Sequence, residues 1–204
     1  IGNLEDITLR AIRTLKEVDY IAAEDTRHVH ILLQKYEIKT PTLSYHSYSS
    51  DAKLEQIIAL LKEGKSVALV SDAGTPGISD PAYGLISRAI EENIKIIPIP
   101  GPSSLLAALV MSGKPMHHFL YLGFLPLKKG RQTLLKSLSQ EDRTIVIFES
   151  PHRLLRTLND LKEYLGDREI AICREITKIY EEALRLKISD AITHFTKTQP
   201  RGEF

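Results

Sequence analysis

Short apolar runs, each followed by small and polar residues, recur along the chain. Their length and their content of β-branched residues are typical of buried strands. We predict strands over residues 20–23, 42–45, 67–70, 95–99, 119–124, 144–148, 169–173 and 181–188. Between these runs, apolar residues return at helical spacing. This pattern predicts helices over residues 4–18, 28–36, 51–63, 82–92, 105–111, 131–138, 152–165 and 189–198.

The alternation of strands and helices predicts an α/β fold. Residues 112–118, which include Gly113 and Pro115, interrupt it. We therefore predict an N-terminal α/β domain over residues 1–113 with a mostly parallel sheet. A C-terminal α/β or α+β domain with a mixed sheet should follow over residues 114–204.

The segment 71–81, SDAGTPGISDP, directly follows a predicted strand. Its glycines Gly74 and Gly77 permit positive φ, and Asp80 with Pro81 fits the N-cap and first position of a helix. The segment contains more small residues than a turn followed by a capped helix requires. Ligands bind at the carboxyl ends of parallel strands. We expect the polar loops to converge on one cleft; they span residues 24–27, 71–81, 100–104 and 149–153.

Composition narrows the class of protein. The 204 residues are 43% hydrophobic and 26% charged, as in ordinary globular proteins. No apolar run approaches the ~20 residues of a membrane span, and no signal peptide is visible. The single cysteine, Cys173, excludes an internal disulfide and favours a reducing compartment, so we expect a cytoplasmic protein without membrane contact.

Familiar cofactor and nucleophile motifs are missing. The chain has no G-x-G-x-x-G, no G-x-x-x-x-G-K-[ST] and no G-x-S-x-G. His28 and His30 lie two residues apart and would point in different directions on a helix, so we expect solvated histidines and no metal site. The net charge of +1 does not indicate a nucleic-acid binder. The basic clusters at 128–131 and 152–156 are equally compatible with phosphate contacts and with solvated helix starts.

Seven segments together resemble the ribosomal RNA small-subunit methyltransferase I family, a branch of the tetrapyrrole methylase superfamily. They are IGNLEDIT at 1–8, AEDTR at 23–27, SDAGTPGISDP at 71–81, PGPS at 100–103, PHRL at 151–154, REITK at 174–178 and GEF at 202–204. They span the chain in the family's order. Family members also have a strand ahead of the first segment and another after the last, and the resemblance implies both for this protein.

The resemblance implies a two-domain α/β enzyme, usually a homodimer, with S-adenosylmethionine in the cleft between its domains. The implied reaction methylates the ribose 2′-hydroxyl of a cytidine in the decoding region of 16S ribosomal RNA, free or in the small subunit. The implied cofactor contacts are Asp72, Ala73, Gly74, Thr75, Ile78, Ser103, Ser104, Phe124, Leu125, Glu149, Ser150, Ile176 and Thr177.

A ribose hydroxyl must lose its proton to attack a methyl group, so a base or a polarising cation is expected. Our candidates are Glu24 or Asp25 as base, with Arg27 or Lys178 as the cation. The alternative, that residues 24–27 form only a charge-paired loop, remains equally open. RNA held near a cleft needs basic phosphate contacts. The candidates for these are Arg27, Lys128, Lys129, Arg131 and Arg153.

Two other functions compete with this interpretation. A C-methyltransferase of a porphyrin or corrin precursor shares the fold and cofactor but typically has a G-D-P phrase where this chain has residues 72–76. A non-catalytic RNA-binding or ribosome-assembly protein would keep the fold and bind no cofactor. Cofactor titration separates this last possibility from both enzymes.

Overall fold

A computed structural model of the chain describes residues 1–46, 49–80 and 82–204. They form two compact units. The first comprises residues 3–103 with Ile1, and the second comprises residues 104–204 with Gly2. We describe each unit by itself.

The first unit contains a parallel sheet covered by helices. A 3₁₀ turn over Leu4–Asp6 precedes the elements α1 (Leu9–Glu17), β1 (Tyr20–Ala23), α2 (Thr26–Lys35), β2 (Thr42–Ser44), α3 (Asp51–Lys62), β3 (Val67–Val70) and α4 (Tyr83–Glu91). Within the described residues the sheet has three parallel strands, in the order β2-β1-β3.

Alternation along β1 gives this sheet a hydrophobic layer on each face. Ile21 packs with residues of α1 and α2, whereas its neighbour Ala22 packs with residues of α3 and α4. Successive side chains of a strand point to opposite faces, so helices cover the sheet on both sides. The predicted mostly parallel α/β architecture of the first part is therefore confirmed.

Two local predictions in this unit are wrong. Residues 95–99 form no strand, and Ile96 and Ile97 are exposed, because within the described residues no strand pairs with this apolar run. Asp80 does not cap the next helix. Helix α4 has Ala82 as its N-cap and no side-chain capping bond, while Asp80 hydrogen-bonds to the side chain of Ser71. Pro81 lies outside the described residues.

The second unit combines parallel and antiparallel strand pairs. Its elements are α5 (Ser104–Ser112), β4 (Phe119–Phe124), α6 (Arg131–Ser137), a 3₁₀ turn (Leu138–Gln140), β5 (Thr144–Phe148), α7 (Leu154–Leu165), β6 (Glu169–Arg174), β7 (Glu182–Lys187) and α8 (Ile188–Lys197). Within the described residues, β4 and β5 form a two-stranded parallel sheet, and β6 and β7 form a separate two-stranded antiparallel sheet. The predicted mixture of strand directions is present, but in two separate sheets and not in one. A core of α7, β6 and α8 residues includes Leu158, Ile172 and Phe195.

Helix α5 belongs to the second unit, so the units divide before residue 104 and not after residue 113 as the sequence suggested. The helix packs against β6 and β7. Arg185 of β7 donates from Nε to the carbonyl of Ser112 over 3.3 Å, which holds the end of α5 to this strand. The predicted boundary followed the glycine and proline after the helix, but these tertiary contacts attach the whole helix to the later strands. No described helix combines the length and apolar character needed to cross a membrane.

Replacing Ile21 with alanine should cost about 2–5 kcal/mol of the free energy of unfolding, because the side chain is 0% exposed and its loss leaves a cavity. Equilibrium urea unfolding measures this cost. Ile31→Ala is the matched control, since Ile31 in α2 is 58% exposed and its truncation should change stability by less than about 0.5 kcal/mol. Equal losses in the two variants would contradict the assignment of β1 to the core.

Candidate active site

The loop after β1 is built around the side chain of Asp25. Its carboxylate caps α2 by accepting the backbone N–H of Arg27 at 2.8 Å. It also accepts hydrogen bonds from Nε and Nη2 of the Arg27 guanidinium, at 3.1 and 2.7 Å. These hydrogen bonds hold the pKa of Asp25 far below its ordinary value. Asp25 is therefore a weak base, and its contacts match the charge-paired alternative for this loop.

The loop after β3 presents exposed backbone. Gly74 and Gly77 have φ of 81° and 88°, the positive values that glycine permits. A Cβ added at Gly74 would meet no atom within 4 Å, so this position needs glycine for its backbone angle and not for space. Residues 72–75 and Ile78 are exposed. The candidate cofactor residues of this loop are therefore accessible to a ligand.

The two loops of the first unit meet at Asp72. Its Oδ1 accepts the backbone N–H of Asp25 at 3.1 Å, and its Oδ2 lies 3.1 Å from Nδ1 of His28. The pairing of β1 with β3 explains the meeting, because Ala23 lies opposite Val70 and the loops leave the sheet side by side. The convergence that the sequence predicts holds for these two loops.

Carboxyl groups gather around this junction. Burial raises the pKa of Asp80, and repulsion from Glu24 and Asp72 raises it further, although a hydrogen bond from Ser71 acts in the opposite direction. Glu24 is half-buried at the end of β1. A partly desolvated carboxyl group beside other carboxylates holds a proton more readily than an isolated one.

Sequence reasoning missed the role of His28 in this junction. The side chain of His28 is 66% exposed, which agrees with the expectation of a solvated histidine. Its ring, however, is hydrogen-bonded to Asp72. No local pattern links residues 28 and 72. Only the pairing of two strands separated by β2 and α3 in the chain could have indicated the contact.

In the second unit, the residue after β5 is a buried carboxylate. Glu149 accepts the hydroxyl of Thr157 at 2.5 Å and the N–H of Ser150 at 2.8 Å, and it forms an ion pair with Nε of Arg153 at 3.2 Å. Its backbone N–H donates to the carbonyl of Phe204. The side chain of Glu149 is thus fully engaged inside the unit. The buried side chain of Leu125 is likewise unavailable to a ligand from the surface.

Arg131 does not occupy the surface position that an RNA contact requires. Its side chain is 4% exposed, and its three nitrogens donate to Asp160 at 2.7 Å, to the carbonyl of Pro126 at 3.1 Å and to Thr157 at 2.8 Å. Arg153 is also tied down, since Nη2 donates to the carbonyl of Leu125. The start of a helix can place a basic side chain inward, and the sequence cluster could not reveal this.

The other basic candidates are exposed. Lys128 and Lys129 lie in the loop between β4 and α6, and Arg27 projects into solvent while it pairs with Asp25. Among the candidate RNA contacts in the described chain, Arg27, Lys128 and Lys129 are therefore the side chains that can reach phosphates.

The turn after β6 is strained and held by charge. Glu175 and Thr177 have φ of 50° and 69°, which non-glycine residues seldom adopt. Lys178 forms ion pairs with Glu175 at 3.0 Å and Glu203 at 2.7 Å. Burial disfavours its charge, but the pairs with Glu203 and Glu175 outweigh burial and raise the pKa of Lys178. Lys178 therefore carries a stable positive charge, which the predicted role of a polarising cation requires.

This turn also holds an unsatisfied hydroxyl. Within the described part of the chain, the buried Oγ1 of Thr177 has no hydrogen-bond partner. Such groups are rare, and a ligand is one of the partners that can satisfy them. Of the other candidate cofactor residues, Phe124 is exposed, and Ser103, Ser104, Ser150 and Ile176 are half-buried.

No group of three or more His, Cys, Asp or Glu side chains that could hold a metal occurs in residues 1–46, 49–80 and 82–204. Cys173 is partly buried, and burial raises the pKa of its thiol. A thiol that stays protonated is a poor nucleophile.

Known proteins share both the sequence and the fold. Residues 1–192 match the model of the tetrapyrrole (corrin/porphyrin) methylases. The chain is 55% identical to the ribosomal RNA small subunit methyltransferase I of Thermotoga maritima, over all of this chain and 91% of that protein. Its identity to the Synechocystis protein of the same name is 50%, over all of this chain and 74% of that protein.

Solved structures agree on the fold. A cobalt precorrin-4 methyltransferase superposes with a TM-score of 0.72 at 17% identity, covering 99% of this chain and 88% of that one. A diphthine synthase gives a TM-score of 0.70 at 14% identity, covering 95% and 81%. At identities of 17% and 14%, these superpositions show a shared fold alone. The relatives that are 55% and 50% identical show which branch of the family the chain belongs to. The chain belongs to the tetrapyrrole methylase family, in the branch of the ribosomal RNA small subunit methyltransferase I proteins.

Proposed function

We propose that the protein methylates the ribose 2′-hydroxyl of a cytidine in the decoding region of 16S ribosomal RNA. The observation that carries the proposal is the 55% identity, over the whole chain, to a protein named ribosomal RNA small subunit methyltransferase I. The methyl donor of this methyltransferase family is S-adenosylmethionine. By the same resemblance we propose a homodimer that works in the cytoplasm on free 16S RNA or on the small ribosomal subunit.

The residues of both units suit this donor. The exposed backbone of residues 72–75 offers amide and carbonyl groups to a polar ligand, and Ile78 offers an apolar surface. In the second unit, the unpaired hydroxyl of Thr177 lies beside Ile176. When bound, S-adenosylmethionine supplies a methyl group activated by a sulfonium. We propose that Ser103, Ser104, Phe124 and Ser150 complete the site, with Leu125 and Glu149 contributing through their backbone.

The protein's part in the reaction is to position the hydroxyl, exclude water and accept a proton. Positioning and desolvation can supply much of the rate of a methyl transfer. Positive charge near the hydroxyl favours loss of its proton, and Lys178 and Arg27 are the cations we propose for this role. Glu24 remains a carboxylate candidate for the base, whereas the ion pair of Asp25 with Arg27 makes Asp25 unsuitable.

Recognition of the RNA should rest on phosphate contacts, which position the nucleic acid without reading its sequence. We propose Lys128, Lys129 and Arg27 for these contacts, because their side chains are exposed. The buried Arg131 and the engaged Arg153 are better described as supports of the loop that holds the two lysines.

Incubation of the protein with radiolabelled S-adenosylmethionine and small subunits lacking this modification tests the function directly. We expect label on a ribose oxygen of a decoding-region cytidine, located by nuclease mapping. Label on a base atom or elsewhere would contradict the proposed specificity. Absence of label with cofactor binding intact would reject this substrate and favour a porphyrin or corrin precursor. Absence of cofactor binding would favour a non-catalytic RNA-binding protein.

Thr177→Val tests the cofactor site of the second unit. The variant should weaken S-adenosylmethionine binding about two- to tenfold, which corresponds to one hydrogen bond of about 0.5–1.5 kcal/mol. The ligand-free protein should lose no stability, since the hydroxyl has no partner to lose. Titration calorimetry measures the affinity. Thr196→Val is the control, because the hydroxyl of Thr196 donates within α8, to the carbonyl of Ile192. Unchanged affinity in Thr177→Val would remove this hydroxyl from the site.

The double variant Lys128→Ala/Lys129→Ala tests the RNA contacts. It should weaken RNA binding and reduce the slope of log affinity against log salt by about 2, about 1 for each lysine. Filter binding at several salt concentrations provides the slope. The control removes the same charge from the last turns of α7 and α8, as Lys162→Ala/Lys197→Ala. A similar loss of slope in both double variants would show a general charge effect and no specific contact.

A further inference from the structure

We propose that His28, oriented by Asp72, is the catalytic base that takes the proton from the ribose hydroxyl. This inference rests on the proposed function and names a residue for its central step. It is carried by the contact of Asp72, in the loop after β3, with Asp25 and His28 at the start of α2, at the carboxyl edge of a parallel sheet. Ligand sites of such sheets lie at this edge.

The geometry of the pair suits a base. Nδ1 of His28 lies 3.1 Å from a carboxylate oxygen of Asp72, so the ring proton sits on Nδ1 and the lone pair on Nε2. In the described part of the chain, Nε2 has no hydrogen-bond partner, and the side chain is largely exposed. The free nitrogen can therefore accept a proton from a substrate, while Asp72 stabilises the imidazolium that forms.

Asp72 is itself held in place. Its other oxygen accepts the backbone N–H of Asp25, the residue that caps the helix bearing His28. One carboxylate thus fixes both the start of α2 and the imidazole on its first turn. This is the arrangement of an orienting carboxylate behind a histidine base.

The other titratable groups around the pair are less suited to the role. Asp25 is committed to Arg27, and Lys178 in the second unit carries a stable positive charge. The charged groups that face His28 are Asp72 from the loop after β3, and Asp25 and Arg27 from the start of its own helix.

The proposed step balances in atoms and charge. The ribose oxygen forms a bond to the methyl carbon as the carbon–sulfur bond of the sulfonium breaks, and the electron pair of that bond stays on sulfur. The hydroxyl proton passes to Nε2 of His28. The imidazolium then releases this proton to water, which returns the enzyme to its starting state.

His28→Ala should lower the single-turnover methylation rate about 100-fold or more, the usual contribution of a general base. Its affinity for S-adenosylmethionine should stay within about twofold of wild type, since only a side chain that faces the substrate is lost. Added imidazole should restore part of the rate in His28→Ala and should not accelerate wild type. His30→Ala is the matched control, because His30 is exposed on the same helix and should keep the wild-type rate.

The pH dependence separates a base from a structural residue. The wild-type rate should rise with pH over the range in which an imidazole loses its proton, about pH 5 to 8, and His28→Ala should lack this rise. Asp72→Asn should lower the single-turnover rate as well, because the ring loses the carboxylate that orients it.

A His28→Ala variant that methylates RNA at the wild-type rate, or whose lost rate is explained by lost cofactor affinity and not rescued by imidazole, overturns the inference and leaves the proposed function standing. An Asp72→Asn variant that keeps the wild-type single-turnover rate overturns the orienting role of Asp72. A wild-type protein that binds the cofactor but leaves RNA unmethylated overturns the proposed function, and the assignment of His28 with it.

Discussion

The parallel pairing of β1 with β3 is the constraint on which the candidate site of the first unit depends. Ala23 lies opposite Val70, so the chain leaves both strands at the same edge of the sheet. Asp72 can then accept a hydrogen bond from the backbone of Asp25 and another from His28. A shift of this register would move Asp72 away from both partners. The hydrophobic packing of Ile21 and Ala22 on opposite faces opposes such a shift, because it would reverse the side chains of the central strand.

The second unit relies on a different kind of constraint, a chain of buried polar contacts. Arg131 joins Asp160 to Thr157, and Thr157 joins this arginine to Glu149. Removing one member of such a chain leaves a buried charge without its partner, which is strongly destabilising. The network fixes the loops after β4 and β5. Basic side chains close together in the sequence thereby acquire different roles, with Arg131 inside and Lys128 and Lys129 outside.

The strands show how much of the fold the pattern of apolar residues in a single segment can predict. The bounds predicted for β1, β3, β4 and β5 coincide with those in the structure, because each is a short apolar run of strand length. The run at residues 95–99 has the same local pattern and forms no strand. A strand requires a neighbour to satisfy its backbone hydrogen bonds, and the pattern of a single segment cannot specify that neighbour.

By itself the sequence determined the α/β class and most element positions, and its glycines permitted the positive φ of residues 74 and 77, because apolar periodicity and glycine conformation act over a few residues. The segments shared with the methyltransferase I family could likewise be identified from short stretches of sequence. Tertiary structure alone decided that Arg131 is buried, that α5 belongs with the later strands, and that His28 meets Asp72. These outcomes join residues far apart in the chain, and their energies come from strand register, burial and paired charges, which exist only once the units have folded.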